Sequence, residues 1–192
     1  MVAPRTEHPD EAGLVERLRA GDDRAREELY RAFFGRVYSW CRWLSGGRVD
    51  PEDAAAEVFR VAFEKAAGFR GEALLSTWLF RISRKVVATQ RRKAWLGRLV
   101  GIETAVALSA PQNPETDTAL REELSIAAGI LDGLSAKKRE AFILVDIGGC
   151  SLAEAAQALG VAVQTVGTRV FYARREFMKQ WRRLTCEVKN DA

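Results

Sequence analysis

The sequence predicts an all-α protein made of two small helical domains joined by a linker, the second domain carrying a helix-turn-helix. Three observations lead there. Apolar residues recur three and four apart along most of the 192 residues, and alternating strand-like runs are missing. The pattern lapses between Leu96 and Thr118, where "SAPQNPETD" (Ser109 to Asp117) has the Pro, Asn and Ser content of a connection. Helical spacing resumes after Ala119 and passes through a Leu-Gly break at Leu159 and Gly160, the punctuation of a short helix, a turn and a second helix. The expected division is a domain at 10–95, a linker at 96–119 and a domain at 120–184.

The elements follow in order. A first helix over 10–20 turns Leu14, Val15 and Leu18 inward. A second over 22–45 buries Leu29, Phe33, Val37, Trp40, Cys41 and Leu44. "SGGRVDPED" interrupts it with two glycines, and Asp50 before Pro51 then forms a favourable N-cap and first-turn pair. The third helix, 51–66, points Val58, Phe59, Ala62 and Phe63 to the core. "AGFRGEALLS" (Ala67 to Ser76) reads as a loop, and a fourth helix runs from about Ser76 to about 96 with Leu79, Ile82 and Val86 inward. Between this helix and the linker, "WLGRLVGIETAVAL" is too apolar for a free tether and is expected to pack.

Composition removes several function classes. The only histidine, His8, lies in a polar tail, which leaves no histidine-dependent catalytic triad. The cysteines Cys41, Cys150 and Cys186 are far apart and form no CxxC pair, so they read as three reduced thiols rather than a disulfide framework or zinc site. No GxGxxG, GxxxxGK[ST] or GxSxG motif occurs. No metal and no cofactor is expected. Neither a membrane-spanning run nor a secretory signal is evident, so a cytoplasmic protein without membrane insertion is expected.

The formal charge of +4 matters through its distribution. From Ala73 to Ile102 there is no acidic residue and there are seven basic ones. Helical spacing brings Arg81, Arg84, Lys85, Arg91 and Arg92 broadly to one face, opposite the apolar stripe. A solvated helix would mix signs, whereas a one-sided cationic face suits phosphate. Phe69, Arg70, Trp78 and Phe80 set flat rings beside cations, the combination that holds single-stranded DNA. Trp78 also suits core packing, and the loop residues Phe69 and Arg70 are better placed to touch a base. Asp50, Glu52, Asp53 and Glu57 crowd the start of the third helix, where carboxylates complement the dipole. They read as capping or as a surface for a basic partner rather than as converging metal ligands.

In the second domain, Ser151 and Glu154 have capping-box spacing, Ala155, Ala156 and Leu159 form a small-residue inner face, and Gly160 supplies the turn. The following helix directs Val163, Val166, Val170, Ala173 and Phe177 inward. Gln164, Thr165, Thr168, Arg169, Tyr172 and Arg175 are left outside. Gln suits adenine edges, Arg guanine edges or phosphate, and Thr a thymine methyl, so this face fits the major groove; a solvated helical hairpin is the plainer reading. Gly167 interrupts that face at a cost of about 1 kcal/mol against alanine, and either admits close approach to DNA or is simple variation.

Together these features resemble a bacterial sigma factor of the extracytoplasmic-function (ECF) group. "DPEDAAAEVFRVAFEKAAGFRGEALLSTWLFRISRKVVATQRRK" is similar to the second conserved sigma region, and "LSAKKREAFILVDIGGCSLAEAAQALGVAVQTVGTRVFYARREF" to the fourth. The resemblance implies a non-enzymatic factor that binds core RNA polymerase and directs it to promoter DNA. It implies polymerase contacts at Asp50, Glu52, Asp53 and Glu57. Minus-ten capture, with a flipped base, falls to Phe69, Arg70, Arg81, Arg84, Lys85, Arg91 and Arg92. Minus-thirty-five reading falls to Gln164, Thr165, Thr168, Arg169, Tyr172 and Arg175. It further implies an anti-sigma factor as partner. The chain departs from the family's usual residues at Ala56, Lys85, Thr89, Gln164 and Gly167. The alternative is an operator-binding helix-turn-helix regulator with an N-terminal sensing or dimerisation domain, which leaves the acid-free basic helix unexplained.

Overall fold

The computed structural model describes residues 10–99 and 118–190. Within them the chain forms eight α-helices and no strand: α1 (Glu11–Arg19), α2 (Asp23–Ser45), α3 (Pro51–Lys65), α4 (Leu75–Leu99), α5 (Thr118–Gly133), α6 (Ala136–Phe142), α7 (Leu152–Leu159) and α8 (Val163–Asn190). A 3-10 turn, Ala66–Gly68, follows α3, and a π-helical turn, Ile143–Ile147, extends α6. The segment "SAPQNPETD" lies outside the described residues, as does the linker apart from its ends.

Local chemistry sets the helix boundaries. Asp50 caps α3, accepting from the amides of Glu52 at 2.8 Å and Asp53 at 3.1 Å, with Pro51 in the first turn. Asp10 and Asp22 cap α1 and α2 in the same way. α2 ends at Gly46, which is left-handed at φ 58°.

α1 to α4 pack around the stripes that the spacing predicts: Leu14, Leu29, Phe33, Val37, Trp40, Val58 and Leu79 are all essentially inaccessible. Phe80 departs from expectation. It is fully buried and meets Trp40 edge to face at 5.2 Å, so it is core and not a platform for bases. The helix has a broader apolar face than its spacing suggests, because Phe80 as well as Leu79 and Ile82 is buried, with Phe80 against Trp40 of α2. Cys41 is sealed in the same core, and burial pushes its thiol up to about 12, which keeps it protonated and inert.

In the second half, α6 and α8 are joined by the stacked rings of Phe142, Phe177 and Trp181, with centroids 5.2 and 5.9 Å apart. The two halves share one contiguous apolar cluster that runs from Leu14 to Val170. At its middle the turn after the π-helical segment comes up against Trp40: a Cβ on Gly148 would stand 2.8 Å from the Leu144 carbonyl and 3.2 Å from Trp40 Nε1. Only glycine fits that approach.

Candidate nucleic-acid interface

The helix-turn-helix forms as its sequence signals require. Ser151 Oγ accepts from the Glu154 amide at 3.3 Å, and Glu154 Oε2 accepts from the Ser151 amide at 2.7 Å, closing the capping box. Gly160 makes the turn at φ 67°. Ala155, Ala156, Leu159, Val166 and Val170 are buried in one apolar cluster, and Ala173 is buried in a second with Leu131 and Leu134. Val163 is not. It is 47 % exposed, contrary to the inward assignment, and it is the first residue of α8, where no preceding turn of the helix flanks it.

The outward face of α8 is open to solvent. Gln164, Thr168, Tyr172 and Arg175 are exposed, while Thr165 and Arg169 are partly covered. Thr168 Oγ1 donates to the Gln164 carbonyl at 3.0 Å, which leaves its methyl and lone pairs outward. Phe171 joins this face at 63 % exposure, edge to face with Tyr172 at 5.4 Å. Sequence reasoning passed over it, although its position one step beyond the buried Val170 placed it off the apolar stripe. Gly167 leaves room: a Cβ there would come only to 3.8 Å from Leu152, an ordinary contact, so nothing within the chain requires glycine.

The α4 face is arranged differently. Arg81, Lys85 and Arg92 are exposed and Arg84 and Arg91 are partly covered, and Arg81, Arg84 and Arg91 hydrogen-bond to the second half. Arg81 donates to the carbonyls of Gln157 and Ala158 (the latter at 3.2 Å), the orphan acceptors at the end of α7. Arg84 Nη1 donates to Glu140 on α6 at 3.2 Å. Arg91 Nη1 donates to the Leu44 carbonyl at 2.9 Å and the Ser45 carbonyl at 3.2 Å, closing the end of α2. Its Nη2 donates to Asp132 Oδ1 on α5 at 2.8 Å. Cationic side chains at helix C-termini complement both the unmet carbonyls and the dipole.

Asp132 gathers three guanidinium groups. Besides Arg91 it accepts from Arg139 at 2.8 Å and pairs with Arg48 at 2.7 Å. Burial opposes its charge, but the Arg91 hydrogen bond and the three cations outweigh that and hold its carboxyl below the usual range. Burial, and then repulsion from Arg91, lower the pKa of Arg139 in turn. Neither Asp132 nor its cluster is visible in the sequence pattern, since Arg48, Arg91, Asp132 and Arg139 come from four separate segments.

In the loop before α4, Phe69 stacks on Trp78 with centroids 4.6 Å apart and planes 23° from parallel. Both rings are partly exposed, and Arg70 stands in solvent beside them, 3.9 Å from Glu72. A groove lined by Phe69, Arg70, Trp78 and Arg81 follows this edge. At the start of α3, Asp50 is taken up by capping, and Glu52 and Asp53 are exposed. Glu57 accepts from Arg60 at 2.6 and 2.7 Å, and that hydrogen bond holds its carboxyl below the ordinary range. Among the described residues no group of three or more His, Cys, Asp or Glu is placed to hold a metal ion, and no helix is long and apolar enough to cross a membrane.

A capped helix-turn-helix with an open reading face, in one chain with a cationic helix beside stacked rings, defines a protein that binds DNA to control transcription. Its family follows from comparison with known proteins. Residues 29–96 match the family model "Sigma-70 region 2", and residues 126–177 match "Sigma-70, region 4". The chain is 31% identical over 172 residues to the ECF RNA polymerase sigma-E factor of Escherichia coli, covering 84% of this chain and 88% of that protein. It is 29% identical over 155 residues to the ECF RNA polymerase sigma factor SigM of Mycobacterium tuberculosis, covering 81% and 76%. Among solved structures, that of CnrH in complex with the cytosolic domain of CnrY is similar in fold, with a TM-score of 0.67, 23% identity, and coverage of 95% of this chain and 99% of that one. The sigma factor RpoE from Bartonella quintana, solved with the anti-sigma factor NepR, matches with a TM-score of 0.58 and 27% identity over 80% of this chain and 96% of that one.

The chain belongs to the ECF group of sigma-70 RNA polymerase sigma factors, which direct transcription initiation. The match of residues 29–96 to region 2 explains the acid-free helix that a sensing or dimerising domain would leave idle.

Proposed function

We propose that the chain divides its work as a domain at 10–95, a linker at 96–119 and a domain at 120–184. The first domain docks on core RNA polymerase and opens the minus-ten element, and the second reads the minus-thirty-five element. The observation that carries this is the co-occurrence, in one chain, of an acid-free cationic helix beside an aromatic loop and an open α8 reading face. Glu52 and Asp53 offer exposed carboxylates for the polymerase, with Asp50 and Glu57 fixing the helix start and its flank.

Phe69 and Arg70 receive a displaced base, the ring offsetting the loss of stacking. Arg81, Arg84, Lys85, Arg91 and Arg92 take the phosphates. Gln164, Thr165, Thr168, Arg169, Tyr172 and Arg175 read the upstream duplex. The chain works in the cytoplasm and is not an enzyme. An anti-sigma factor is its expected inhibitor, as NepR is found with RpoE and the cytosolic domain of CnrY with CnrH.

The test combines the purified chain with core polymerase and a promoter library and sequences the initiated transcripts. Promoter-specific transcripts are expected. Tight binding to duplex DNA by the chain alone, with no transcripts, contradicts the reading. Replacing Arg81 and Arg84 with alanine should reduce open-complex formation at least tenfold while polymerase binding survives; unchanged opening removes both from the site.

A further inference from the structure

Four arginines meet two carboxylates where α4 passes the end of α2 and the start of α6. Arg91 and Arg139 each donate to Asp132 at 2.8 Å, Arg48 pairs with it at 2.7 Å, and Arg84 donates to Glu140 at 3.2 Å. Four guanidinium groups against two carboxylates leave a surplus of two positive charges. A cavity of about 260 Å³ opens beside them, lined by Arg84, Arg91 and Arg139 together with Leu44, Val87 and Ala136. We propose that this cavity binds a small organic phosphate monoester, its phosphoryl group on the three arginines and its body on the apolar side chains.

Arg139 carries the site. It is only 8 % exposed, and its Nη1 and Nη2 are taken by Asp132 and by the Leu134 carbonyl, the latter at 3.3 Å. Its Nε is buried with no hydrogen-bond partner among the described residues. An unmet guanidinium N–H inside a protein is costly, and native structures rarely keep one without a reason. Burial, and then repulsion from Arg91, already work against the charge of this group. A water molecule could accept from Nε but would leave the surplus charge unanswered. An anion answers both.

The donors are held ready by the fold itself. A Cβ on Gly46 would overlap the Asp132 carboxylate, so that carboxylate sits in space that only glycine leaves. Asp132 in turn fixes the forks of Arg91 and Arg139. Donors already in place lose little freedom when a ligand arrives.

Charge, donors and size select the ligand class. Two surplus charges match the dianion of a phosphate monoester, and guanidinium forks suit its oxygens. A monoester concentrates both charges on one group and leaves the rest of the molecule free to meet Leu44 and Val87, which are buried. A dicarboxylate divides its charges between two ends. The cavity lies just below the usual range for ligand pockets, about 300 to 1,000 Å³, so the body is no larger than a single ring or sugar. The depth of Arg139 also sets this site apart from a duplex backbone, which meets side chains at the surface.

Isothermal titration calorimetry on the full chain at constant ionic strength tests the site with phenyl phosphate, inorganic phosphate and succinate. Phenyl phosphate should saturate one site per chain and bind more tightly than the other two. Ala136→Glu sets a carboxylate at an exposed edge of the cavity, in the first turn of α6 where an acidic residue suits the helix. It should weaken phenyl phosphate about tenfold by occupying the cations. Arg139→Lys keeps the charge but removes Nε and the fork, and should also weaken binding about tenfold. Where Arg139→Lys fails to fold, Ala136→Glu decides. The absence of saturable phenyl phosphate binding, or unchanged affinity in either folded variant, overturns the site. Inorganic phosphate or succinate binding as tightly as phenyl phosphate overturns the assignment to a monoester. Neither polymerase nor DNA is present, so such a failure leaves the assignment of Arg84 and Arg91 to the minus-ten element untouched.

Discussion

The cationic face of α4 and the reading face of α8 have similar chemistry and opposite circumstances. On α8, Gln164, Thr168, Tyr172 and Arg175 meet solvent, and among the described residues the only side-chain hydrogen bond of these four is the local one from Thr168. On α4, three of the seven basic residues bond to carbonyls and carboxylates of the other half. Charge alone therefore does not make a surface available. A guanidinium serves a helix end or an aspartate as readily as a phosphate, and which it serves depends on what the fold brings within reach.

Four substitutions break or sharpen this contrast. The largest effect belongs to the packing that orients α4. Phe80→Ala empties the ring's place against Trp40 and should cost about 4 kcal/mol of stability in denaturant unfolding. That would loosen the α4 face while leaving the α7–α8 geometry, read by isolated duplex binding, largely intact.

Asp132→Asn comes next, at about 3 kcal/mol near neutral pH, since it leaves three guanidinium groups facing one another. Its pH dependence has a definite sign. The folded carboxyl lies below its unfolded value, so the stabilisation is fully present above the ordinary carboxylate range and is lost as pH falls through the folded value. Unfolding curves of the wild type and Asp132→Asn should converge on acidification.

On the other face, Arg169→Ala should weaken binding to the upstream promoter element by about 2 kcal/mol and leave thermal stability unchanged. Gly167→Ala gives the smallest effect. The helix is continuous there and a methyl only touches Leu152, so stability should rise by about 1 kcal/mol in thermal unfolding.

Much of this was legible in the sequence where a local rule governed. Ser151 with Glu154, Asp50 with Pro51, and Gly160 each announce a helix boundary by chemistry confined to a few residues, and each forms as written. The inward stripes of α1 to α4 were equally readable, because spacing alone fixes which side of a helix shares a core. Phe80 and Val163 mark the limit of that rule. Periodicity says which residues share a face, but not how wide a face the neighbours cover or how far a helix end projects. The Asp132 cluster was beyond reach for a further reason: its members meet only in three dimensions, across 91 positions of chain from Arg48 to Arg139. Family resemblance did not supply it, since the resemblance speaks to what α4 does on DNA and not to where α4 rests without it.

The most direct measurement of the central claim is energy transfer between dyes at Glu72→Cys and Gln157→Cys as core polymerase and then promoter are added. With the free chain, transfer should be high, because Gln157 hydrogen-bonds the Glu72 carbonyl. In the transcribing complex it should fall away as Arg81, Arg84 and Arg91 pass from the C-terminal half to DNA. Transfer that stays high in a complex making transcripts would contradict the account.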